Sequence, residues 1–432
     1  MRATSLVTSL RQPCTRCCFL AASSTRACWA GPCRNLCSSD RRLAVLQTLA
    51  VQNYRTLRDF VIPLRPLNLI TGANGSGKSN LYKALRLLAE TAQGGVVGSL
   101  AREGGLASTL WAGPESLSKA VRRGEAPVQG TVRKKPISLG LGFVGSNFSY
   151  AIDMGLPSPD RSGSAFSLDP SIKGEFVWVG PVPRPAAMLV ERRGGLVRAR
   201  IDGGEWQIVH EHMAGFDSML SQIADPRQTP ELAALREQIR SWRFYDHFRT
   251  DAAAPARAPQ IGTHTPVLGH DGTDLAAALQ TIREIGDARA LDEAVADAFP
   301  GASVAVDTRD GRFETTMQQH GLLRPLKAGE LSDGTLRYLL WIAALLSPRP
   351  PELLVLNEPE TSLHPDLLPA LARLIGHAAE RSQIFVVSHA KRLIAALEEQ
   401  GCQSLVLQKE FGETRVADLG ELDRPAWHWV AR

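Results

Sequence analysis

The sequence predicts an α/β fold, a mainly parallel sheet flanked by helices with its polar motifs at strand ends. Three observations predict it. The apolar run Leu67 to Ile70 feeds the glycine-rich stretch Thr71-Gly72-Ala73-Asn74-Gly75-Ser76-Gly77-Lys78-Ser79-Asn80. A second run, Leu353 to Leu356, ends in Asn357-Glu358-Pro359-Glu360, and the strand Gln383 to Val387 ends in Ser388-His389. An uninterrupted apolar run such as Leu353 to Leu356 is that of a strand in a parallel sheet covered on both faces.

The first stretch fits G-x-x-x-x-G-K-[ST] in full, with a strand before it and a helix after it, the context that separates a P-loop from a chance match. Its glycines let successive N–H groups turn inward toward phosphate oxygens, above the positive end of the following helix. Lys78 then reaches the β- and γ-phosphates, and the Ser79 hydroxyl is a ligand of Mg2+. The following helix carries Leu81, Ala84, Leu85 and Leu88 on one stripe for packing against a sheet. Nucleotide binding is the premise for everything downstream.

With 432 residues, 44% of them apolar and 22% charged, the chain has ordinary globular usage and room for two or three lobes. No apolar run approaches the roughly eighteen residues of a membrane span, so no membrane is expected. The net charge of +5 is local: residues 1–42 hold seven Arg (2, 11, 16, 26, 34, 41 and 42) against Asp40, and the remainder is close to neutral. Nucleic-acid contact, if present, must come from local patches. The same 42 residues hold six of the seven cysteines: Cys14, Cys17, Cys18, Cys28, Cys33 and Cys37. A zinc cluster, an Arg/Ser-rich targeting peptide and an extension with no role in the fold compete as readings, and the last is preferred. The body, with Cys402 alone, needs no disulfide and suits a reducing cytoplasm.

In chain order, Leu43 to Val51 reads as a strand, Asn53-Tyr54-Arg55-Thr56-Leu57-Arg58 as a turn, and Phe60 to Leu64 as the return. Residues 43–95 form a first segment with the P-loop, and residues 96–325 an inserted lobe of hairpins and helices. In that lobe Arg122, Arg123, Arg133, Lys134 and Lys135 make a basic loop, and Ile137 to Asp153 and Glu175 to Val179 read as strands. Arg192, Arg193, Arg198 and Arg200 flank a Gly-Gly turn, suggesting a hairpin with an Arg-lined face. Such a face suits a phosphate backbone; the plainer and preferred reading is a solvated edge that discourages strand pairing. Helices are expected over Pro230 to Phe248 and Asp274 to Ile285, the first burying Trp242, Phe244, Tyr245 and Phe248. His210-Glu211-His212 reads as surface, and no heptad run is long enough for a coiled coil.

Residues 326–432 carry the second set of motifs. Leu331-Ser332-Asp333-Gly334 precedes a helix striped by Leu336, Leu339, Leu340 and Ala343, making a second anion site at a helix N-terminus. In a P-loop enzyme, the polar end of Leu353 to Leu356 is where a metal-side group and a water-activating carboxylate belong.

The ordered set of P-loop, Leu-Ser-x-Gly, apolar strand with Glu-Pro, and strand with Ser-His resembles the ABC-type ATPase head, and its wording is similar to the RecF/SMC-like group of AAA-family ATPases. Asn53-Tyr54-Arg55 and the P-loop match that group's opening; Glu358-Pro359-Glu360-Thr361-Ser362-Leu363-His364-Pro365 matches its Walker B and D-loop. The resemblance implies a nucleotide site of Arg55, Gly72, Asn74, Gly75, Ser76, Gly77, Lys78, Ser79 and Asn80, with ATP and Mg2+ as its ligands. It implies Glu358 as the group acting on the attacking water, His389 as γ-phosphate sensor, and Asn357 and His364 at the Walker B and D-loop positions. Ser332 and Gly334 would contact the γ-phosphate held by a second copy, so an ATP-dependent homodimer is expected. Asn357 departs from the usual Asp and removes a charge near the metal, which implies slow hydrolysis.

Lys78 and Ser332 stand 254 residues apart, too far for a compact transporter head. Two functions follow from the resemblance. One is a cytoplasmic or nucleoid-associated ATPase acting on DNA in double-strand break repair. The other is a regulatory module of a bacterial defence system that controls a separate effector protein.

Overall fold

The computed structural model describes residues 45–114, 138–157, 165–201, 204–223, 225–417, 419–420 and 422–430. The extension 1–42 and the basic loop from Arg122 to Lys135 lie outside them.

Strands β1 (Leu46–Tyr54) and β2 (Leu57–Pro63) pair antiparallel around the tight turn at Arg55-Thr56, where Arg55 takes φ 50°. Next comes β3 (Leu67–Gly72), the P-loop strand, and the helix Lys78–Thr91. Leu81, Ala84, Leu85 and Leu88 are all buried, as the stripe predicts.

β3 sits inside a six-stranded sheet. Its order is β10 (Arg243–Tyr245), β15 (Leu353–Asn357), β16 (Gln383–Val387), β3, β17 (Gln403–Glu410) and β18 (Glu413–Val416). The first five are parallel and β18 closes the edge antiparallel. This is the parallel sheet expected from the apolar runs.

The larger sheet is a correction to the expected layout. β4 (Leu139–Gly145), β5 (Ser149–Gly155), β6 (Ser171–Trp178), β7 (Met188–Arg193), β8 (Leu196–Arg200) and β9 (Trp206–His210) extend β2-β1 into eight antiparallel strands. Residues 96–325, expected as an inserted lobe, contribute strands to both large sheets: β4 pairs the free edge of β1, and β10 belongs to the parallel sheet. Edge pairing uses backbone groups, which leave no mark in side-chain periodicity. A small third sheet pairs β13 (Arg312–Gln318) with β11 (Gln260–Ile261), β12 (Ser303–Arg309) and β14 (Leu326–Lys327).

The helix expected over Pro230 to Phe248 also needs correction, since it stops at Ser241 and the chain turns into β10. Trp242, Phe244, Tyr245 and Phe248 are buried as expected, but Phe244 and Tyr245 from a strand and the other two from the chain flanking it. Aromatics suit a pleated surface at least as well as a helix, so their spacing alone misled.

The expected Arg-lined hairpin exists as β7 and β8, but its charge is largely taken up by the protein. Arg192 is fully buried, 2.9 Å from Glu175, which also accepts from Tyr150, Ser218 and the Met219 N–H. Arg193 and Arg198 pair with Glu191, and Arg198 and Arg200 stack over Trp206.

Two apolar cores flank the parallel sheet. One lies between the two large sheets, around the P-loop helix. The other is organised by the helix Asp333–Leu345, in which every residue from Leu336 to Leu345 is buried. A helix apolar on all sides belongs inside a domain. Gln383 joins β16 to the antiparallel sheet: its amide accepts from Leu46 N and donates to Leu46 O, both at 2.7 Å.

Candidate functional site

The site begins at the end of β3. Gly72 has φ 141°, and a Cβ there would meet the Leu407 carbonyl at 2.3 Å. Gly77, with φ 112°, has Thr414 Oγ1 at 2.1 Å from a would-be Cβ. Glycine is thus required at both positions by backbone sign and by space. Thr414, from β18, ties the loop down: its hydroxyl donates to Ser76 O at 2.8 Å and bonds Thr56 Oγ1 at 2.7 Å. Lys78 Nζ donates to the carbonyls of Gly72 (2.6 Å) and Ala73 (3.1 Å), and the Ser76 hydroxyl is buried with no hydrogen-bond partner among the described residues. A buried ammonium and an unpartnered buried hydroxyl in a glycine loop at a helix start fit an anionic phosphate chain.

Besides Lys78 with its carbonyl partners, two members of the expected nucleotide set have side chains bonded to other side chains. Asn80 Nδ2 donates to Thr56 Oγ1 at 2.7 Å, bracing the β1–β2 turn. Arg55 Nη2 donates to Glu103 at 2.7 Å, and Tyr54 Oη shares the same carboxylate oxygen. Burial raises the Glu103 carboxyl, but the hydrogen bonds from Arg55 and Tyr54 outweigh it and hold the group below its ordinary range. Arg55 and Asn80 also line one cleft, beside Trp111 and Phe411.

The other strand ends arrive at the same edge. Parallel register sets Asn357 beside Val387 and Val387 beside Ile70, and Ser388 N donates to Ile70 O at 3.1 Å. Adjacent strands are ~4.8 Å apart, so the end of β15 stands about 10 Å from that of β3. Glu358 turns out of β15 with φ 48°, its N–H bonded to Val387 O at 2.8 Å. A non-glycine residue held at positive φ is a strain of ~1–3 kcal/mol that such sites keep when the surrounding structure imposes it. His389 Nδ1 lies 3.8 Å from Glu358 Oε1 and 3.4 Å from Glu360 Oε1. The structure thus brings Glu358 and His389 together, both half exposed.

Glu360 carries no role in the motif reading, yet it builds this corner. Its buried Oε1 accepts from Ser388 Oγ (2.7 Å), His389 N (3.0 Å) and Ala390 N (3.2 Å), fixing the backbone that presents the imidazole. The signal was available in the Glu358-Pro359-Glu360 triplet; only its burial was not.

Ser332 and Gly334 open the helix Asp333–Leu345. Ser332 is the N-cap, its exposed Oγ accepting from Thr335 N at 3.2 Å. Arg257 holds the approach, donating to the Leu331 carbonyl at 2.6 Å and to Asp333 at 2.5 Å. Nothing in the sequence around Arg257 signals this. The buried Arg337 bonds three carbonyl or hydroxyl groups, Thr361 O, Phe248 O and Thr250 Oγ1, and so links this helix to the D-loop and to the chain after β10. Burial lowers its pKa. His364 is exposed, its Nδ1 accepting from Asp366 N at 3.3 Å.

On the metal side, Ser79 and Asn357 line one cleft of about 730 Å³, together with Asp246. Hydroxyl, amide and carboxylate oxygens are the donors a hard cation such as Mg2+ takes.

Comparison with known proteins bears on this geometry. The family described as "AAA ATPase domain" matches residues 45–118, and "AAA domain, putative AbiEii toxin, Type IV TA system" matches residues 210–395. The chain carries AAA-family ATPase domains. The two matched segments of the ATPase hold the P-loop on one side and the Ser332, Glu358 and His389 motifs on the other. No curated protein compared with the chain matches it. Among solved structures, the "SmcHead bound to the C-winged helix domain of ScpA" is 13% identical, covering 86% of this chain and 97% of its own, at TM-score 0.46. The SMC head domain from Thermotoga maritima is 15% identical over 86% and 98%, at 0.39. The Smc head from Pyrococcus furiosus, bound to the C-terminal domain of ScpA, is 12% identical over 86% and 95%, at 0.44.

Proposed function

We propose that this ATPase binds ATP with Mg2+ at the P-loop and hydrolyses it between two copies of the chain. The observation that carries the reading is the alignment of β3, β15 and β16, whose ends leave one sheet edge with the phosphate loop, Glu358 and His389. Lys78 and the loop N–H groups hold the phosphates. Glu358 orients and deprotonates the attacking water, and His389, braced by Glu360, donates toward the γ-phosphate. Mg2+ bound by Ser79 would neutralise phosphate charge there. Ser332 and Gly334 serve the nucleotide of the second copy, which agrees with the exposure of Ser332 at a helix N-terminus. Asn357 in place of a carboxylate slows turnover.

Two outputs of this cycle are proposed. Regulation of a separate effector in a defence system is favoured by the family description at residues 210–395, which names a toxin–antitoxin system. Action on DNA in double-strand break repair rests on the basic loop Arg122 to Lys135, because the hairpin arginines have partners within the protein. Both place the protein in the cytoplasm, the second at the nucleoid.

Light scattering with ATP and Mg2+ tests the core of the reading. Glu358→Gln is expected to abolish phosphate release while retaining ATP and accumulating as a dimer; adding Ser332→Arg returns it to a monomer that still binds ATP. Unchanged turnover in Glu358→Gln removes Glu358 as the base. DNA affinity that falls steeply with salt in the presence of ATP supports the DNA output; no affinity at moderate salt, with a stably bound protein partner, supports the effector.

A further inference from the structure

Asn357 leaves the metal side of the cleft one carboxylate short, and the sheet supplies a candidate from the neighbouring strand. β10 runs parallel to β15 with Phe244 opposite Val355 and Tyr245 opposite Leu356. The next residue, Asp246, therefore leaves its strand level with Asn357, roughly 5 Å across the sheet.

Both line the cleft that contains Ser79. Across it, Ser79, Tyr82, Lys83 and Arg86 follow one another at three-, four- and seven-residue spacing along the P-loop helix, so they share the facing side. Asp246 Oδ2 accepts from Arg86 Nη1 at 2.6 Å. Its other oxygen, Oδ1, is buried and has no hydrogen-bond partner among the described residues. A buried carboxylate oxygen without a donor is costly and calls for a counterpart. Arg86 holds one oxygen and the Tyr82 hydroxyl also interacts with the carboxylate, while Oδ1 stays open to a cation or to water held by one.

We propose that Asp246 supplies the negative charge and oxygen acceptor at the metal site that Asn357 lacks. The proposal rests on the ATP–Mg2+ reading above and deepens it. Because Mg2+ keeps several waters, Asp246 can act through a bound water as well as directly. The competing account is that Asp246, whose side chain is 38% exposed, is only the counter-ion of Arg86 and a partner of Tyr82.

The test is binding of Mn2+, read by electron paramagnetic resonance, to the full chain in the presence of a non-hydrolysable ATP analogue. Asp246→Asn is expected to weaken Mn2+ binding roughly ten- to a hundredfold, the loss typical when a partner of a metal site is removed. Asn357→Asp in the same chain is expected to restore it, moving the carboxylate one strand over. Arg86→Gln is expected to shift Mn2+ affinity far less than Asp246→Asn. Mn2+ binding by Asp246→Asn equal to that of the unaltered protein overturns the proposal, as does an equal loss in Arg86→Gln. If Asp246→Asn does not fold, Asp246→Ser, which also removes the charge, is measured, with weakened Mn2+ binding expected and unchanged binding contradicting the proposal. An unaltered chain that retains no nucleotide at any metal concentration overturns the ATPase reading itself, and this proposal with it.

Discussion

Glu360 Oε1 accepts the Ser388 hydroxyl at 2.7 Å, joining the ends of β15 and β16 beneath His389. The same oxygen takes the His389 and Ala390 N–H groups, so Glu360→Ala leaves the Ser388 hydroxyl and the His389 N–H without their acceptor, while the Ala390 N–H keeps Ser388 Oγ. A buried unsatisfied group costs ~1–3 kcal/mol. Thermal unfolding is expected to show Glu360→Ala destabilised by at least about 2 kcal/mol on that scale, with ATP turnover lost. Glu360→Gln keeps an acceptor oxygen and is expected to fall between the two. Equal stability of all three proteins would contradict the bracing role.

Gly77→Ala sets two effects against the P-loop, a positive φ and a Cβ placed 2.1 Å from Thr414 Oγ1. Strain of this kind is worth ~1–3 kcal/mol, so ATP affinity is expected to fall about tenfold or more. Adding Thr414→Ala removes the collision but not the φ strain, and recovery should be partial. Full recovery in an equilibrium titration would show that space alone excludes a side chain at residue 77.

The Glu175–Arg192 pair is fully buried in the antiparallel sheet. Removing one partner of such a pair typically destabilises by ~3–5 kcal/mol because it strands a charge. Glu175→Gln is expected in that range by urea denaturation, and replacing both residues by Met is expected to be milder than either single change. A single substitution within about 0.5 kcal/mol of the unaltered protein would contradict this.

Burial, followed by the charge of Glu398, pushes the Cys402 thiol up to about 11. The thiolate is the reactive form, so Cys402 is expected to resist iodoacetamide at pH 8 and to react faster as pH rises toward 11. Site-resolved mass spectrometry separates it from the six cysteines of residues 1–42. Rapid labelling of Cys402 at pH 8 in the folded protein would show the thiol to be accessible and ionised.

The legible parts of the site are those whose chemistry depends on neighbours in the chain. The P-loop, Glu358 and His389 sit in contiguous motifs, and buried parallel strands reveal themselves as apolar runs. Asp246 was hidden because Trp242 at the end of a true helix and Phe244 and Tyr245 on the short strand after it continue a helical-looking pattern. Thr414 and Arg257 were hidden for a simpler reason, since a lone Thr or Arg has no period. Arg192 was visible but misjudged: its charge suggested a surface, while Glu175 and Tyr150, distant in sequence, draw it inside.

By itself, then, the sequence determined the nucleotide loop, the parallel strands behind it and the carboxylate and imidazole at their ends, because backbone curl and strand burial are written in local residue order. Tertiary structure alone decided that β1 and β2 enter an eight-stranded antiparallel sheet, that β10 sets Asp246 beside Asn357, and that Thr414 closes on Gly77. Those outcomes depend on which strand edges meet, and edges meet through backbone hydrogen bonds that every residue but proline can make.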